Sequence, residues 1–443
     1  MNTRSLFASS LLFVLAGCAA DSTGASPGPV PSTQAPDGSS PTPAAACPTP
    51  HGPTLHAGEI AGDETWTAEG SPHVVSRNFA VRSGRTLTIA PCATVQFEAG
   101  AGLSVAFPGT PNTGSLVAVG DAEHPIRFEG RDGAKWASIF VAAPGTARLA
   151  YVDLKDGGEA GVPALQMEGR GEMPAAAGLF VDHVTVSGAS VRTARMAAFA
   201  EGSEALTVRG APGRPLEISE HTLSTLPSGS YTGNGIDEIE LARDSAVEVD
   251  TTMHARGVPY HVRESLRIGK GQGAPLATLH VEEGTTIRFA KGAVLAVEHA
   301  TGEFPASGAL VAVGSAARPI VLTSDQAQPA PGAWRGLWFG GVPRGENRVE
   351  HVTIAYAGGD CGCVLSSCSA LTTSDGSVIF TQAPPAAFFD QVTIAHSKGH
   401  AFVLGYAGAA FDFAGRNTFD DVEQCNVTLP SAPSCPSPRP ACQ

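Results

Sequence analysis

Short runs of alternating apolar and polar residues cover most of the chain. One such stretch has its apolar positions at Leu87, Ile89, Val95, Phe97, Leu103 and Val105. Successive runs begin eight residues apart, and Gly or Pro commonly fills the gaps. Alternation with a period of two predicts strands with one buried face, whereas no long stretch has the spacing of an amphipathic helix. We expect a helical turn or two only in Ser190–Glu201.

The same pattern occurs twice in the chain. Residues 114–128 (GSLVAVGDAEHPIRF) match residues 308–322 (GALVAVGSAARPIVL) at nine of fifteen positions. The resemblance extends upstream and downstream, so that one copy runs from 86 to 158 and the other from 278 to 359. This self-similarity predicts an internal duplication with a period of roughly 190–200 residues.

Evenly spaced short strands fit either a β-sandwich or a coil in which three strands make one circuit of about 24 residues. The runs here are only three to five residues long, and Asn234-Gly235 is the one Asn-Gly dipeptide that could make a tight hairpin. Stacked circuits would also pair every backbone group with the circuits above and below. We therefore predict an all-β solenoid with an internal duplication.

The duplicated motifs resemble those of right-handed parallel β-helix lipoproteins of bacteria, in the pectin-lyase-like group. The motifs that carry the resemblance are TLTIAPCATVQFEAGAGLSV, GSLVAVGDAEHPIRF, a following Trp segment and a Val-Thr-Val/Ile strand before Gly-Gly. The resemblance covers residues 60–415 and implies a right-handed parallel β-helix. It implies little about function, because this fold hosts unrelated activities.

The N-terminus has the features of an export signal. Arg4 precedes an apolar stretch, residues 6–16, that is shorter than the ~20 residues needed to span a bilayer. The stretch ends in Leu-Ala-Gly-Cys, which resembles the lipobox of bacterial lipoproteins. That resemblance implies that Cys18 becomes the acylated mature N-terminus and that membrane lipid is a partner. Ala19 in place of the aspartate that retains such proteins at the inner membrane favours the outer membrane.

These features divide the chain into five parts. Residues 1–17 are the predicted signal peptide, and residues 18–53 form a Pro/Ser/Thr-rich segment with almost no large apolar side chain. Such a segment cannot bury enough surface to offset its ordering entropy, so we expect a disordered tether. The two β-helix blocks are expected at 54–235 and 236–421, followed by a Cys/Pro-rich tail at 422–443.

Eight cysteines remain after Cys18, an even number that in an exported protein predicts disulfides. They are Cys47, Cys92, Cys361, Cys363, Cys368, Cys425, Cys435 and Cys442. We expect Cys47 to pair with Cys92, and the tail to be stapled onto the last coils through the middle cluster. The C-x-C-x4-C spacing of that cluster is not a zinc pattern, so we predict no metal site and no cofactor.

Four planar polar or aromatic side chains occupy matching places in related strand runs. Tyr151, His183, His351 and Gln391 each precede a Val of the buried set, so they face outward or toward a groove. On neighbouring coils they would form a candidate ligand-facing column that could bind sugar rings. The alternative is a surface position that tolerates planar groups. The repeated Trp136, Trp334 and Trp338 are instead expected to pack in the core.

Composition narrows the function classes. The formal charge of −14 argues against nucleic acid as a partner, because nucleic acid attracts excess Lys and Arg. No nucleotide loop, nucleophile elbow or carboxylate cluster is recognisable, and the His396/His400 pair is separated by a turn-like Ser-Lys-Gly. An enzyme of this fold would need at least two carboxylates and a basic group in one lateral groove.

The sequence therefore favours a lipid-anchored cell-envelope β-helix protein with a structural, adhesive or glycan-binding role. Its expected partners are membrane lipid and either a polysaccharide or another envelope protein. The alternative is a polysaccharide lyase or glycoside hydrolase on the same scaffold, so whether the chain is an enzyme stays open and the sequence leans against it.

Lipidation can be tested by growing producing cells with a radioactive fatty acid. We expect label on the wild-type chain and none on Cys18→Ala, since the predicted acyl acceptor is that cysteine. Label that persists in the variant, or an unlabelled wild-type chain, contradicts the prediction.

Overall fold

The computed structural model describes residues 46–108, 112–171, 176–298, 300, 302–358, 376–432 and 440–443. Cys18, the predicted signal peptide and residues 18–45 of the predicted tether lie outside them. The regular secondary structure of the described chain is almost entirely β-strand, with three short 3-10 helical turns at Arg131–Gly133, Glu159–Gly161 and Glu220–Thr225. The predicted all-β class is confirmed.

The strands of the first half are β1 (Thr54–Glu59), β2 (Glu64–Trp66), β3 (His73–Val81), β4 (Arg85–Ile89), β5 (Thr94–Phe97), β6 (Leu103–Val105), β7 (Gly114–Val119), β8 (Ile126–Gly130), β9 (Ile139–Ala142), β10 (Thr146–Lys155), β11 (Leu165–Glu168), β12 (Ala176–Ser187), β13 (Val191–Ala194), β14 (Ala197–Phe199), β15 (Glu204–Arg209), β16 (Leu216–Ile218) and β17 (Gly229–Ser230).

The strands of the second half are β18 (Ile239–Leu241), β19 (Ser245–Val247), β20 (Thr251–Met253), β21 (Tyr260–Val262), β22 (Ser265–Ile268), β23 (Ala277–Val281), β24 (Thr286–Phe289), β25 (Val294–Val297), β26 (Gly308–Val313), β27 (Ile320–Ser324), β28 (Leu337–Phe339), β29 (Arg348–Glu350), β30 (Val352–Ala355), β31 (Gly376–Phe380), β32 (Phe389–Asp390), β33 (Thr393–Ser397), β34 (His400–Leu404) and β35 (Thr418–Val422).

These strands form three sheets of 24, 6 and 5 strands. Most strands pair in parallel with strands one circuit earlier and one circuit later along the chain. Ile239 of β18, for example, lies between Leu216 of β16 and Tyr260 of β21. The smaller sheets run β19-β22-β25-β28-β31-β34 and β20-β23-β26-β29-β32. This is the parallel β-helix that the strand spacing predicted.

The inward positions of successive coils stack into continuous apolar ladders. Ile89, Ala118, Leu149 and Val181 are register partners on β4, β7, β10 and β12, and none is more than 1% exposed. Because each coil covers the apolar residues of the next, three-residue strands suffice to build a core.

The duplication is visible in the packing of its tryptophans. Trp136 is fully buried, stacks on Phe97 at 4.5 Å between ring centroids, and donates to the Lys155 carbonyl at 2.7 Å. Trp334 repeats the arrangement on Phe289, at 4.1 Å, and donates to the Ala355 carbonyl at 2.8 Å. Each indole ring thus fills the interior of one coil, and its N–H donates to a backbone carbonyl of the wall.

The helical turn expected in Ser190–Glu201 is wrong. The segment contains two short strands, β13 and β14, joined by Arg195 and Met196 with φ of 51° and 60°. This pair of left-handed residues turns a corner of the coil, and Ala197 and Phe199 then enter the core. The helix propensity of this segment is outweighed by the pairing of its backbone with the adjacent coils.

Two disulfides lie within the described residues. Cys47–Cys92 joins the segment before β1 to the first coils, as expected. Cys425 pairs with Cys442 inside the tail, not with the middle cluster, which corrects the predicted staple for these two residues. The tail reaches the last coil by pairing Val427 with Phe402. Four further candidates lie outside the described residues: Cys361, Cys363, Cys368 and Cys435.

The repeated Trp packing predicts equal losses of stability in both copies. Trp136→Ala and Trp334→Ala should each lower the free energy of unfolding by about 3–5 kcal/mol, because each leaves a large core cavity. Urea denaturation followed by circular dichroism measures it. Leu55→Ala is the control, since Leu55 is 69% exposed, and it should cost less than about 0.5 kcal/mol. Equal effects in all three variants would contradict the assignment.

Candidate functional site

The four side chains of the predicted column lie at corners of the coil. Tyr151, His183, His351 and Gln391 all have left-handed backbone, with φ between 49° and 54°. Such a residue turns the chain between two strands, so it and the residue before it both point away from the core. His is enriched in this region of φ/ψ space, whereas Tyr and Gln are uncommon there.

Tyr151 and His183 form a stacked pair on adjacent coils. Their rings are 4.6 Å apart and within 4° of parallel, and His183 Nδ1 lies 2.6 Å from Asp182 Oδ1. On the coil before Tyr151 the position is Gly120, where a Cβ would come within 2.6 Å of the His124 carbonyl oxygen. Only glycine fits there, so no side chain from this position covers Tyr151.

His351 and Gln391 lie on adjacent coils of the second copy, each directly after register partners of β29 and β32. Gly314 occupies the coil before His351, as Gly120 does before Tyr151. Strands β13 to β29 lie between His183 and His351 in the chain. The four side chains are therefore two separate pairs, and their contact with a ligand stays a prediction.

A second Tyr–His stack was not anticipated. Tyr356 lies 4.7 Å from His396 between ring centroids, and His396 Nδ1 lies 2.8 Å from Asp421 Oδ2. All three residues have positive φ and occupy the next corner on three consecutive coils. The repeated runs Val-Thr-Ile-Ala-Tyr and Val-Thr-Ile-Ala-His carried the signal, since they put Tyr356 and His396 at the same place.

Two buried carboxylates converge on the lateral wall at β18, but both are ion-paired. Arg214 lies 2.9 Å from Glu238 and 2.9 Å from Glu240, whose side chains are 7% and 8% exposed. Arg288 contacts Glu238 at 2.8 Å, and Arg263 contacts Glu240. Each carboxylate is thus shared between two guanidinium groups.

Burial acts to raise the pKa of Glu240, but contact with His261 and the charges of Arg263 and Arg214 hold it below its usual value. His261 Nε2 in turn lies 3.1 Å from Asp325 Oδ2. A carboxylate kept ionised and enclosed by cations is a poor proton donor and has no open position for a metal. The network is therefore a structural clamp across the coils.

An open groove of about 720 Å³ lies beside β14, β15 and the 3-10 turn Glu220–Thr225. It has the volume of a small-molecule site. Three segments far apart in the sequence line it: Ala198, Phe199, Ala200, Glu201, Gly202, Ser203, Glu204, His221, Ser224, Thr225, Leu226, Ser228 and Arg256.

Serine hydroxyls give the groove hydrogen-bonding capacity. The Oγ atoms of Ser203, Ser224 and Ser228 accept backbone N–H groups at 3.2, 2.8 and 3.5 Å. Each hydroxyl keeps its hydrogen, since none donates to a partner in the described part of the chain. The groove therefore presents hydroxyl donors, while the side chains of Phe199 and Leu226 beneath it are each only 1% exposed.

Charged groups lie at the edges of the same groove. The side chains of Glu201 and Glu204 form no ion pair or hydrogen bond with any described residue. Arg256 donates from Nε to the Leu226 carbonyl at 3.2 Å. His221 Nδ1 lies 2.8 Å from Glu220 Oε1, outside hydrogen-bond geometry.

A histidine pair lies at the first coils, away from the groove. His56 Nε2 is 3.0 Å from His73 Nδ1, and His73 Nε2 is 2.8 Å from the Thr67 carbonyl, so His73 donates there and accepts from His56. Trp66 stacks on both rings. Burial, followed by the charge of His73, lowers the pKa of His56 to about 4, and burial also lowers the pKa of His73.

No group of three or more His, Cys, Asp or Glu side chains is placed to hold a metal ion in the described ranges. Nor does any helix in that part of the chain have the length and apolar composition to cross a membrane. No protein-family model matches the chain, and neither a curated protein nor a solved structure does. The resemblance to pectin-lyase-like lipoproteins therefore rests on the motifs and the fold.

The histidine pair predicts stability that declines in acid. The folded chain keeps His56 neutral down to about pH 4, whereas the unfolded chain binds a proton near pH 6.5, so this contribution is complete above pH 6.5 and is lost toward pH 4. Thermal unfolding at pH 7 and pH 4 measures it. His56→Gln should lose less stability between the two pH values, since glutamine can donate to His73 but does not titrate. An equal loss in variant and wild type would be the contrary result.

Proposed function

We propose that the chain is a lipid-anchored cell-envelope protein whose β-helix binds a saccharide in the groove beside β14 and β15. The observation that carries this proposal is the groove itself, a polar-rimmed concavity of about 720 Å³ on a rigid wall. Saccharides present hydroxyls and apolar ring faces together. The groove offers partners for the hydroxyls, with three serine hydroxyls and two carboxylates on its lining.

The rigidity of the wall supports binding. Strand β15 pairs with β12 on one side and with β17 on the other, and β14 pairs with β12, so the lining residues that they carry need little reordering to meet a ligand. The serine hydroxyls are oriented by the backbone bonds that they accept. A preformed site binds a flexible oligosaccharide at a lower entropic cost than a mobile one.

Anchoring at the envelope is supported by the sequence and by the disulfides. The lipobox-like Leu-Ala-Gly-Cys assigns Cys18 to lipid, and a Pro/Ser/Thr-rich segment follows it. Cys47–Cys92 and Cys425–Cys442 fit an oxidising compartment outside the cytoplasm. The location that we propose on this basis is the cell envelope, and Ala19 favours its outer membrane.

An enzymatic role is the second candidate, because Glu201 and Glu204 line the same groove as His221 and Arg256. Two carboxylates and basic groups in one groove are what a lyase or hydrolase of this fold requires. We favour binding over turnover, since neither carboxylate has a hydrogen-bond or ion-pair partner among the described residues that would orient it for proton transfer.

Binding can be tested with residues 46–443, which form one compact unit that keeps Cys47. On a glycan array we expect retention of a subset of oligosaccharides. Ser228→Trp should weaken binding about tenfold or more by filling the groove. Ser230→Trp is the matched control, two residues further along the chain and outside the lining, and should bind normally. An array without any retained glycan would exclude the proposed function.

Turnover is tested on the same polysaccharides by assaying new reducing or unsaturated ends. We expect none. Degradation that disappears in Glu201→Gln or Glu204→Gln, but persists in Glu123→Gln at an exposed site outside the groove, would establish the enzyme instead.

A further inference from the structure

We infer that a second groove, on the first coils of the β-helix, binds neutral saccharide rings by stacking them on open aromatic side chains. The inference rests on the proposed function for its choice of saccharides as the ligand class. It concerns a separate site, because the second groove shares no lining residue with the groove beside β14 and β15.

The second groove has a volume of about 680 Å³ and crosses β1, β3, β6 and β9. Half of its lining residues are Gly, Ala or Ser, which leaves room above the wall. At Gly102 a Cβ would come within 2.8 Å of the Ser138 carbonyl oxygen, so no larger residue fits there. The small residues therefore keep the groove open along several successive coils.

Two aromatic rings of the lining are open to solvent. Phe107 is 52% exposed and is the one aromatic among the large apolar side chains that the described ranges leave exposed. Phe140 lies between the inward Ile139 and Val141 on β9, so its ring points outward, and it is half-buried. The groove beside β14 and β15 lacks such a ring, because Phe199 there is 1% exposed.

The second copy of the duplication shows that the fold can bury an aromatic ring at the place of Phe140. Ser104 of β6 is the register partner of Phe140, and the equivalent Ala296 of β25 is the register partner of Trp338. Trp338 is only 5% exposed and packs with Ala296 and Ile379 in an apolar cluster separate from the main core. The same wall position is therefore covered in one copy and left open in the other, where the groove lies.

One cation and one anion lie beside the open rings. Arg82 lies 5.8 Å from the centroid of the Phe107 ring, and its Nε is 3.8 Å from Glu59 Oε2. The Arg82 side chain makes no hydrogen bond with the described part of the chain. A guanidinium group only donates and a carboxylate only accepts, whereas a hydroxyl group does both. A ligand hydroxyl can therefore satisfy Arg82 and Glu59 together.

These features select the class of ligand. A pyranose ring has an apolar face that stacks on an aromatic ring and hydroxyls at its edge that reach the polar pair. Arg82 and Glu59 are the only charged residues of the lining, so the groove has no net charge with which to attract a uronate or an amino sugar. Neutral saccharides with flat apolar faces meet these conditions.

Calorimetric titration of residues 46–443 with β-linked glucose oligomers tests the inference, with galacturonate oligomers as the charged comparison. Phe107→Ala should weaken binding of the glucose oligomers about tenfold, because it removes the exposed ring, and Phe107→Trp should restore it. Leu55→Ala is the matched control, since it truncates an exposed apolar side chain outside the groove, and it should bind as the wild type does.

The Ser228→Trp variant isolates the second groove, because it fills the groove beside β14 and β15. Glucose oligomers should bind this variant, and the added Phe107→Ala should weaken that binding about tenfold. The unfolding midpoints of all variants, followed by circular dichroism, should match the wild type, since Phe107 is not part of the core.

The outcomes separate this inference from the function on which it rests. Glucose oligomers that do not bind the Ser228→Trp variant, that bind Phe107→Ala as tightly as the wild type, or that bind no better than galacturonate would overturn the inference and leave the groove beside β14 and β15 as proposed. No binding of any saccharide here or on the array would overturn both.

Discussion

Parallel hydrogen bonding between successive coils is the constraint on which the rest of the structure depends. A strand of three residues has no stability of its own, and it persists because the coils above and below pair its backbone groups about 4.8 Å away. This pairing fixes the register, so equivalent residues of successive coils must lie above one another. Ile89, Ala118, Leu149 and Val181 form one column for that reason, and the Trp–Phe stacks follow the same rule.

Register also governs the outer surface. Outward side chains on neighbouring coils come as close as inward ones, so like charges repel and opposite charges or flat rings are favoured. The wall around β18 meets this constraint by sharing Glu238 and Glu240 among arginines, and the corners meet it by stacking Tyr151 on His183 and Tyr356 on His396. In these columns the outward side chains of neighbouring coils balance one another's charge or stack on one another. Of the unpaired carboxylates of the groove, Glu201 lies at a turn and Glu204 is the first residue of β15, in register with Asp182 of β12.

The parts of the fold that repeat could be predicted, because alternation and duplication are properties of nearby residues. The strands around Leu87 and Phe97, the packing role of Trp136 and the bond between Cys47 and Cys92 follow from them. The helical turn at 190–201 was wrong because pairing with adjacent coils overrides local helix propensity. The Cys425–Cys442 bond could not be chosen from spacing alone, and the groove has no motif, since its lining comes from 198–204, 221–228 and Arg256.

The duplication and the groove beside β14 and β15 occupy different parts of the chain, and this separation bears on function. The matching copies run over 86–158 and 278–359, and every residue that lines the groove lies between them. What the copies share is what any coil needs: buried Val and Leu, a Trp on a Phe, and a glycine at the crowded corner. What a solenoid does not need for its own stability is an open concavity with two unpaired carboxylates. Features that the fold does not require, on a wall that it holds rigid, are where a ligand has reason to bind.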